Sequence, residues 1–377
     1  MVGLLTRGIS LLGFAAGVAL VPHRLCKTDA ECWYTGDVGT QEALAQGVDG
    51  WLRRGFGEKT FATGATLFDR EWIFGTYQMA ALGFGQVAHE HPDTATVNRE
   101  RMERAIDGML SPAGRAFDTV AWGHDALKSL DSSEGHAAFL GYANLVLSFH
   151  RSLFPDSKYA ALNDAMTRAL TRRFEAAPTG LIETYPGQTF PVDNTPGIAS
   201  VALHARATNA PKPPVVARIV AAMRRRAVDS KSGLLFQRVR ADGRAVDAPR
   251  GSGTALAAYF ISFADADFSA ELHRAVQREL ATRVAGFRAI REYPSGHRGH
   301  GDIDSGPLVL GHSISATGFA LAGCRIHRDP DCYREILATA ELFGTPLQRK
   351  HEQTYVAGGP LGDAILFAMQ TAQPRSP

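Results

Sequence analysis

The sequence predicts an all-α protein: an (α/α)6 toroid, in which helix hairpins close into a ring and carry their long loops on one face. Three observations lead there. Apolar residues recur at helical spacing in about twelve successive segments. Short and long connections alternate between those segments. The resulting hairpin period of about sixty residues marks each helix pair as one unit of a repeated architecture. Six such pairs account for residues 39–372 as one catalytic domain with no low-complexity linker inside it.

Taken in order, the periodicity predicts helices over 40–54, 70–90 and 97–109, with a short turn at His91–Asp93. The stretch Leu110–Leu130 is read as the first long loop from its Gly, Pro, Asp and Ser content. Helices over 133–153 and 157–174 flank the short Phe154–Asp156 connection, and Ala176–Asn194 is the second long loop. Helices follow over 195–208 and 213–228, 252–266 and 269–286, 312–326 and 330–343, and finally 360–371. Between these pairs lie the long connections Asp229–Gly251, Arg288–Gly311 and Gly344–Gly359. The repeat is one of lengths and not of residues, which leaves an open superhelix of helix pairs as the alternative arrangement.

Composition sets the outer bounds. The chain has 377 residues, 45% of them hydrophobic and 21% charged, enough apolar material for a large core and too much for a disordered chain. Forty Lys and Arg against 38 Asp and Glu leave a formal charge of +2, so no global field draws nucleic acid or an anionic membrane. Residues 1–21 combine Arg7 with the apolar run Gly8–Val21. That pattern reads as a signal peptide or a membrane anchor, with a buried first helix as the other reading. A periplasmic or secreted location follows from the first two. The cysteines form two local pairs, Cys26 with Cys32 and Cys324 with Cys332, which in an exported chain are expected to be disulfides.

Two loops carry the candidate chemistry. The first, Gly180–Gly197, brings Glu183, Tyr185, Gln188, Asp193 and Asn194 together in a segment stiffened by prolines and entering a helix. Asp193 or Asn194 would suit the helix cap, leaving the other to face a cavity. The second, Gly296–Pro307, holds His297, His300, Asp302 and Asp304 among glycines. Their spacing matches no standard zinc or calcium motif, so no metal or cofactor is expected and a polar substrate-binding rim is the preferred reading. Trp72 and Tyr77 on the second helix are candidate ring-lining aromatics, weighed against an ordinary core role. Asp193, Tyr142 and Asp304 are the expected catalytic groups, with Trp72, Tyr77, Glu183, Tyr185, Arg238 and His300 as substrate contacts.

Four short segments, Phe139–Leu145, Phe190–Asn194, Ala241–Val246 and Ile290–Glu292, follow one another in an order that resembles the linalool dehydratase/isomerase family. The resemblance implies an (α/α)6 fold and the reversible dehydration or isomerisation of an alcohol. It departs at the chemistry: the family's active-site cysteine pair falls on Thr184 and Asp193, a family histidine on Tyr142, and a family tyrosine near Arg238. The expected function is therefore acid/base catalysis by a carboxylate, adding or removing water or isomerising a hydroxylated substrate. A glycoside hydrolase or polysaccharide lyase on the same scaffold is the alternative, since two carboxylates with Trp72, Trp122 and Tyr185 nearby would suit a sugar. A periplasmic binding protein is the non-enzymatic alternative. The partner is a small molecule or a glycan in either enzymatic reading.

Overall fold

The computed structural model describes residues 29–57 and 60–374. Residues 1–21 and Cys26 lie outside the described residues, as do the export segment and the Cys26–Cys32 pairing expected on them. Fourteen α-helices are used below in chain order: α1 (Ala30–Thr35), α2 (Val38–Arg54), α3 (Thr66–Glu90), α4 (Ala95–Leu110), α5 (Pro112–Trp122), α6 (Tyr142–Leu153), α7 (Ala160–Ala176), α8 (Pro191–Ala207), α9 (Pro214–Arg226), α10 (Gly251–Ile261), α11 (Ala266–Glu279), α12 (Ile314–Ile326), α13 (Pro330–Gly344) and α14 (Gly359–Gln370).

Helices α3, α6, α8, α10, α12 and α14 each pack against the next, and α14 returns to α3. Six inner staves thus close a ring. Helices α2, α4, α7, α9, α11 and α13 pack around it as the outer layer. The division follows from composition: α10 and α12 are apolar nearly all round, whereas the outer α9 and α11 are amphipathic, with one buried stripe, as a helix facing solvent on one side requires. The fold is the expected toroid. Among the described residues no helix is long and apolar enough to cross a membrane.

Each inner helix except α14 runs into its outer partner through a short turn, α14 packs instead against α2 from the start of the described chain, and each outer helix reaches the next inner one through a long connection. The long loops therefore gather at the N-terminal end of the inner ring, which places Glu71, Tyr142, Asp193 and Ser252 in the opening turns of α3, α6, α8 and α10. Two departures from the sequence reading have local causes. Leu110–Leu130 is not all loop, because Ser111 caps α5 by accepting from Gly114 N and Pro112 occupies its first turn, where its missing N–H and fixed φ do no harm. The end of the helix expected over 269–286 is instead a β-hairpin, β1 (Ala281–Val284) with β2 (Phe287–Ile290), turned by Ala285 and Gly286 at φ +51° and +87°. Two more hairpins, β3–β4 (Leu308–Val309 with His312–Ser313) and β5–β6 (Pro346–Arg349 with Glu352–Tyr355), decorate the last two long loops. Cys324 and Cys332 form a disulfide joining α12 to α13.

Candidate active site

Helix α8 starts four residues earlier than the sequence suggests, at Pro191, with Phe190 as its N-cap. Pro196 therefore sits inside the helix rather than at its start. A proline there cannot donate to the carbonyl four residues back; the Thr195 hydroxyl replaces the missing donor, 2.6 Å from Val192 O. Neither Asp193 nor Asn194 acts as the cap. The Asn194 side chain instead accepts from Ile182 N and donates to Ile182 O and Phe190 O, tying the preceding loop to the helix. Asp193 is left free to turn inward, where the first-turn dipole favours a negative charge.

Asp193 meets Tyr142 on the neighbouring stave, α6. The phenol donates to Asp193 Oδ1 at 2.7 Å. This reach depends on Gly141 and Gly197, whose backbones approach so closely that a Cβ on Gly141 would lie 3.0 Å from Gly197 N. Behind Tyr142, the rings of Phe74 and Phe260 stand edge-on at 6.4 and 5.1 Å, fixing the phenol by packing. Desolvation raises the Asp193 pKa to about 7, against the hydrogen bond from Tyr142, and the Asp304 charge adds to the rise.

Two further carboxyls share the cup. Asp304 accepts from Gln237 Nε2 at 3.1 Å and is raised to about 6, first by desolvation and then by Asp302. Glu71, in the second turn of α3, is raised to about 8 by desolvation and by the Asp304 and Asp193 charges. Glu71 and Asp193 are partly buried and Asp304 stands at the solvent-exposed rim; three acids whose charges repel one another do not all ionise readily at neutral pH, which favours a proton on Glu71, the most raised of them. The Asp304 loop is anchored from below: Arg250 donates through Nε to the fully buried Glu292 at 2.6 Å and forks onto Asp302, whose Oδ1 accepts from Asp304 N and Ser305 N.

One buried polar atom of this site, Gln237 Oε1 beside Asp304, lacks a hydrogen-bonding partner, and the buried Tyr185 hydroxyl has only the Glu71 carboxyl for a partner. A further buried pair lies behind Glu71, where His136 Nδ1 is 2.7 Å from Asp118 Oδ2 and the Trp122 ring stacks on the imidazole at 4.4 Å.

The structure thus brings Asp193, Tyr142, Asp304 and Tyr185 together, as expected from sequence, and assigns other places to the remaining candidates. Trp72 packs against Phe61, and Tyr77 packs against Phe56 and against Gly108 of the outer α4, so both are held in aromatic packing and neither joins the carboxyls. Arg238 pairs with Asp247 at 3.2 Å; in an extended segment neighbours face opposite ways, so Gln237 meets Asp304 and Arg238 does not. His300 is exposed, its carbonyl accepting from Tyr293. Glu183 contributes mainly its backbone, the carbonyl accepting from Ala137 N. Sequence reading missed Glu71, Gln237 and the Asp118–His136 pair. Only Glu71 left a trace: an acid between Asp69 and a run of apolar helix, indistinguishable there from an ordinary charged first turn.

The carboxyl cluster carries a stability prediction. Glu71 has a raised folded-state pKa, so the folded protein holds more protons than the unfolded one between about pH 4.5 and pH 8, and stability falls as pH rises through that window. Glu71→Gln removes the penalty. It should raise the melting temperature by several degrees at pH 8.5, on the order of 1–3 kcal/mol, and by little near pH 4.5. Equal shifts at both pH values in thermal unfolding would show that Glu71 is not held protonated.

The chain matches no protein-family model and no curated protein. Among solved structures it is similar to an unsaturated glucuronyl hydrolase specific for heparin, with a TM-score of 0.56 and 11% identity over 90% of this chain and 96% of that one. It is similar also to an α-1,6-mannanase of Salegentibacter sp. HEL1_6, at TM-score 0.54 and 13% identity over 89% and 99% of the two chains. A family 105 glycoside hydrolase of C. acetobutylicum gives 0.52 and 11% over 80% and 93%. The scaffold is a helical toroid. At such identities the likeness establishes the architecture and leaves the chemistry to the residues in the cup.

Proposed function

We propose that the protein is a carbohydrate-active acid/base enzyme of the glycoside hydrolase class, with Asp193 as the proton donor. The observation that carries this reading is the polarity of the cup: three carboxyls, two of them bonded to the phenols Tyr142 and Tyr185, accompanied by the buried, unpartnered Gln237 Oε1. A polyhydroxylated ligand can pair all of them, whereas an alcohol with one hydroxyl leaves most unpaired, at about 1–3 kcal/mol each. The similar structures support the same class, since the heparin-specific hydrolase and the mannanase act on glycans from this scaffold.

In this reading the Asp193 proton passes to the leaving glycosidic oxygen, and Tyr142 holds the carboxyl in position throughout. With a pKa of about 7 the group is protonated often enough to act as an acid and gives up the proton readily. Asp304, more acidic at about 6, is ionised at neutral pH and supplies the second carboxylate that glycoside cleavage needs, as base or nucleophile. Glu71 remains protonated and donates a hydrogen bond to the substrate. The same Asp193 proton could instead expel a hydroxyl as water, the dehydratase reading; an aromatic shell surrounds Tyr142 in its favour, but that shell is sealed in the core and does not line the cup.

The test is a panel of oligosaccharides, including unsaturated uronates and α-1,6-mannosides, set beside terpene alcohols. Reducing-sugar release from a glycan that disappears in Asp193→Asn is the expected result. Turnover of terpene alcohols with every glycan untouched would overturn the assignment and favour the dehydratase.

A further inference from the structure

A second cluster lies at the edge of the cup on the loop between α5 and α6. The ring nitrogens of His124 and His136 and a carboxylate oxygen of Glu134 all lie within 4.8 Å of one another. His124 Nε2 is 2.6 Å from Glu134 Oε2, and His136 Nε2 is 3.9 Å from the same oxygen. We propose that His124, Glu134 and His136 form a binding site for a divalent transition metal, with zinc as the ion the donor set suits.

Four features carry this beyond a chance grouping. Two imidazoles and one carboxylate are the donor types of three-ligand zinc sites, whereas calcium and magnesium take oxygen ligands almost throughout. With zinc–ligand bonds of about 2.0–2.1 Å, tetrahedral donors stand roughly 3.3 Å apart, and the observed separations bracket that value, so small side-chain rotations bring the three atoms into place. His136 is already oriented: it is fully buried, its Nδ1–H donates to Asp118, and Nε2 is thereby left with the lone pair facing Glu134. A carboxylate holding the far nitrogen of a metal-ligating histidine is the usual support for such a ligand. Lastly, Asp118 Oδ1 is buried without a partner, and Asp118 and Glu71 interact electrostatically, so carboxyls stand behind the donors, while the nearby Arg173 guanidinium is taken up by the Ser129, Ser132 and Gly135 carbonyls.

Nε2 of His136 also lies 3.3 Å from the Ser129 hydroxyl, a long contact that a metal bond would replace. The side chains of His124 and Glu134 are 39% and 40% exposed, which leaves a path for the ion and an open fourth position for water. Backbone at His136 is held at φ +49°, the left-handed region, immediately before the π-helical turn Ala137–Gly141 that leads into Tyr142. Trp122, stacked on the His136 ring, donates through Nε1 to Thr184 O on the Tyr185 loop. A bound ion would brace that side of the cup.

The test needs no substrate. Elemental analysis of the purified full-length chain after equilibration with zinc should give about one equivalent. Cobalt in its place should produce visible absorption bands of a four-coordinate site, and zinc should raise the melting temperature by a few degrees. His124→Ala and Glu134→Gln, both at half-exposed positions that tolerate change, should each weaken zinc binding by at least tenfold. Asp118→Asn, acting through His136, should weaken it by about 10–100-fold. Asp193→Asn should bind zinc as the parent does, which separates this site from the proposed reaction. Failure of the parent to take up zinc, or equal uptake by parent and His124→Ala, would overturn the proposal.

Discussion

If Asp193 is the proposed proton donor, Asp193→Asn should lower turnover of a glycan substrate by about 10²–10⁴-fold, the range that a positioned general acid supplies, with the fold intact. Asn keeps the shape and can still accept from Tyr142 at the position of Oδ1, so the 2.7 Å contact has a replacement. Helix α8 does not depend on residue 193 for its cap, which is Phe190, so thermal unfolding should show no loss. The parent's rate should fall above about pH 7 as Asp193 loses its proton and below about pH 6 as Asp304 gains one, with both limbs belonging to the coupled cluster rather than to single groups. In Asp193→Asn the residual rate should lose the limb near pH 7 and keep, on the alkaline side, only the later fall that Glu71 imposes near pH 8. Near-parental turnover in the variant would remove Asp193 from the mechanism.

Arg250→Met should destabilise the protein by about 3–5 kcal/mol, the cost of leaving a buried charge without its partner. Glu292 is fully buried and Arg250 nearly so, and the same guanidinium holds Asp302 and with it the Asp304 loop. The remaining contacts to Glu292, from Ser252 N and Oγ, satisfy oxygens without neutralising them. Chemical denaturation measures the loss. Adding Glu292→Leu should restore much of it, because an apolar pair of similar volume needs no compensating charge. A cost below about 1 kcal/mol for the single variant would overturn the reading of this pair as a buried, mutually dependent ion pair.

The ring was legible in the sequence because its signal is repeated. Helical spacing and loop lengths recur through the chain, and once the hairpins alternate direction, Tyr142, Asp193 and Asp304 must share an end. What stayed hidden depends on which way a side chain turns. Trp72 and Glu71 are neighbours in sequence, and only the packing of α3 shows that the acid joins the other carboxyls while the indole packs on Phe61. Gln237 and Arg238 pose the same problem in an extended segment, where the charged residue attracted notice and the amide holds the carboxylate. Asp118 and His136 belong to separate elements joined through a left-handed residue, which no local pattern announces. Pro196 misled for a definite reason: it suggested a helix start, while the Thr195 hydroxyl allows the helix to run through it.

The seam of the ring unites the two ends of the chain. Trp51 Nε1 donates to Asp363 at 2.7 Å, Gln86 reaches Ala368 O and Thr371, Gln373 returns to Gln86 O, and Arg325 bonds Glu90. A chain emerging N-terminus first therefore displays the open flanks of α3 and α12 until its last stave is made. Every group of the cup has been synthesised by residue 304, yet none is locked until residues 359–370 arrive. Such late, long-range closure makes for slow folding and a period of exposed apolar surface. A ribosome stalled just short of α14 would carry a complete set of catalytic side chains on a barrel missing the stave that shuts it.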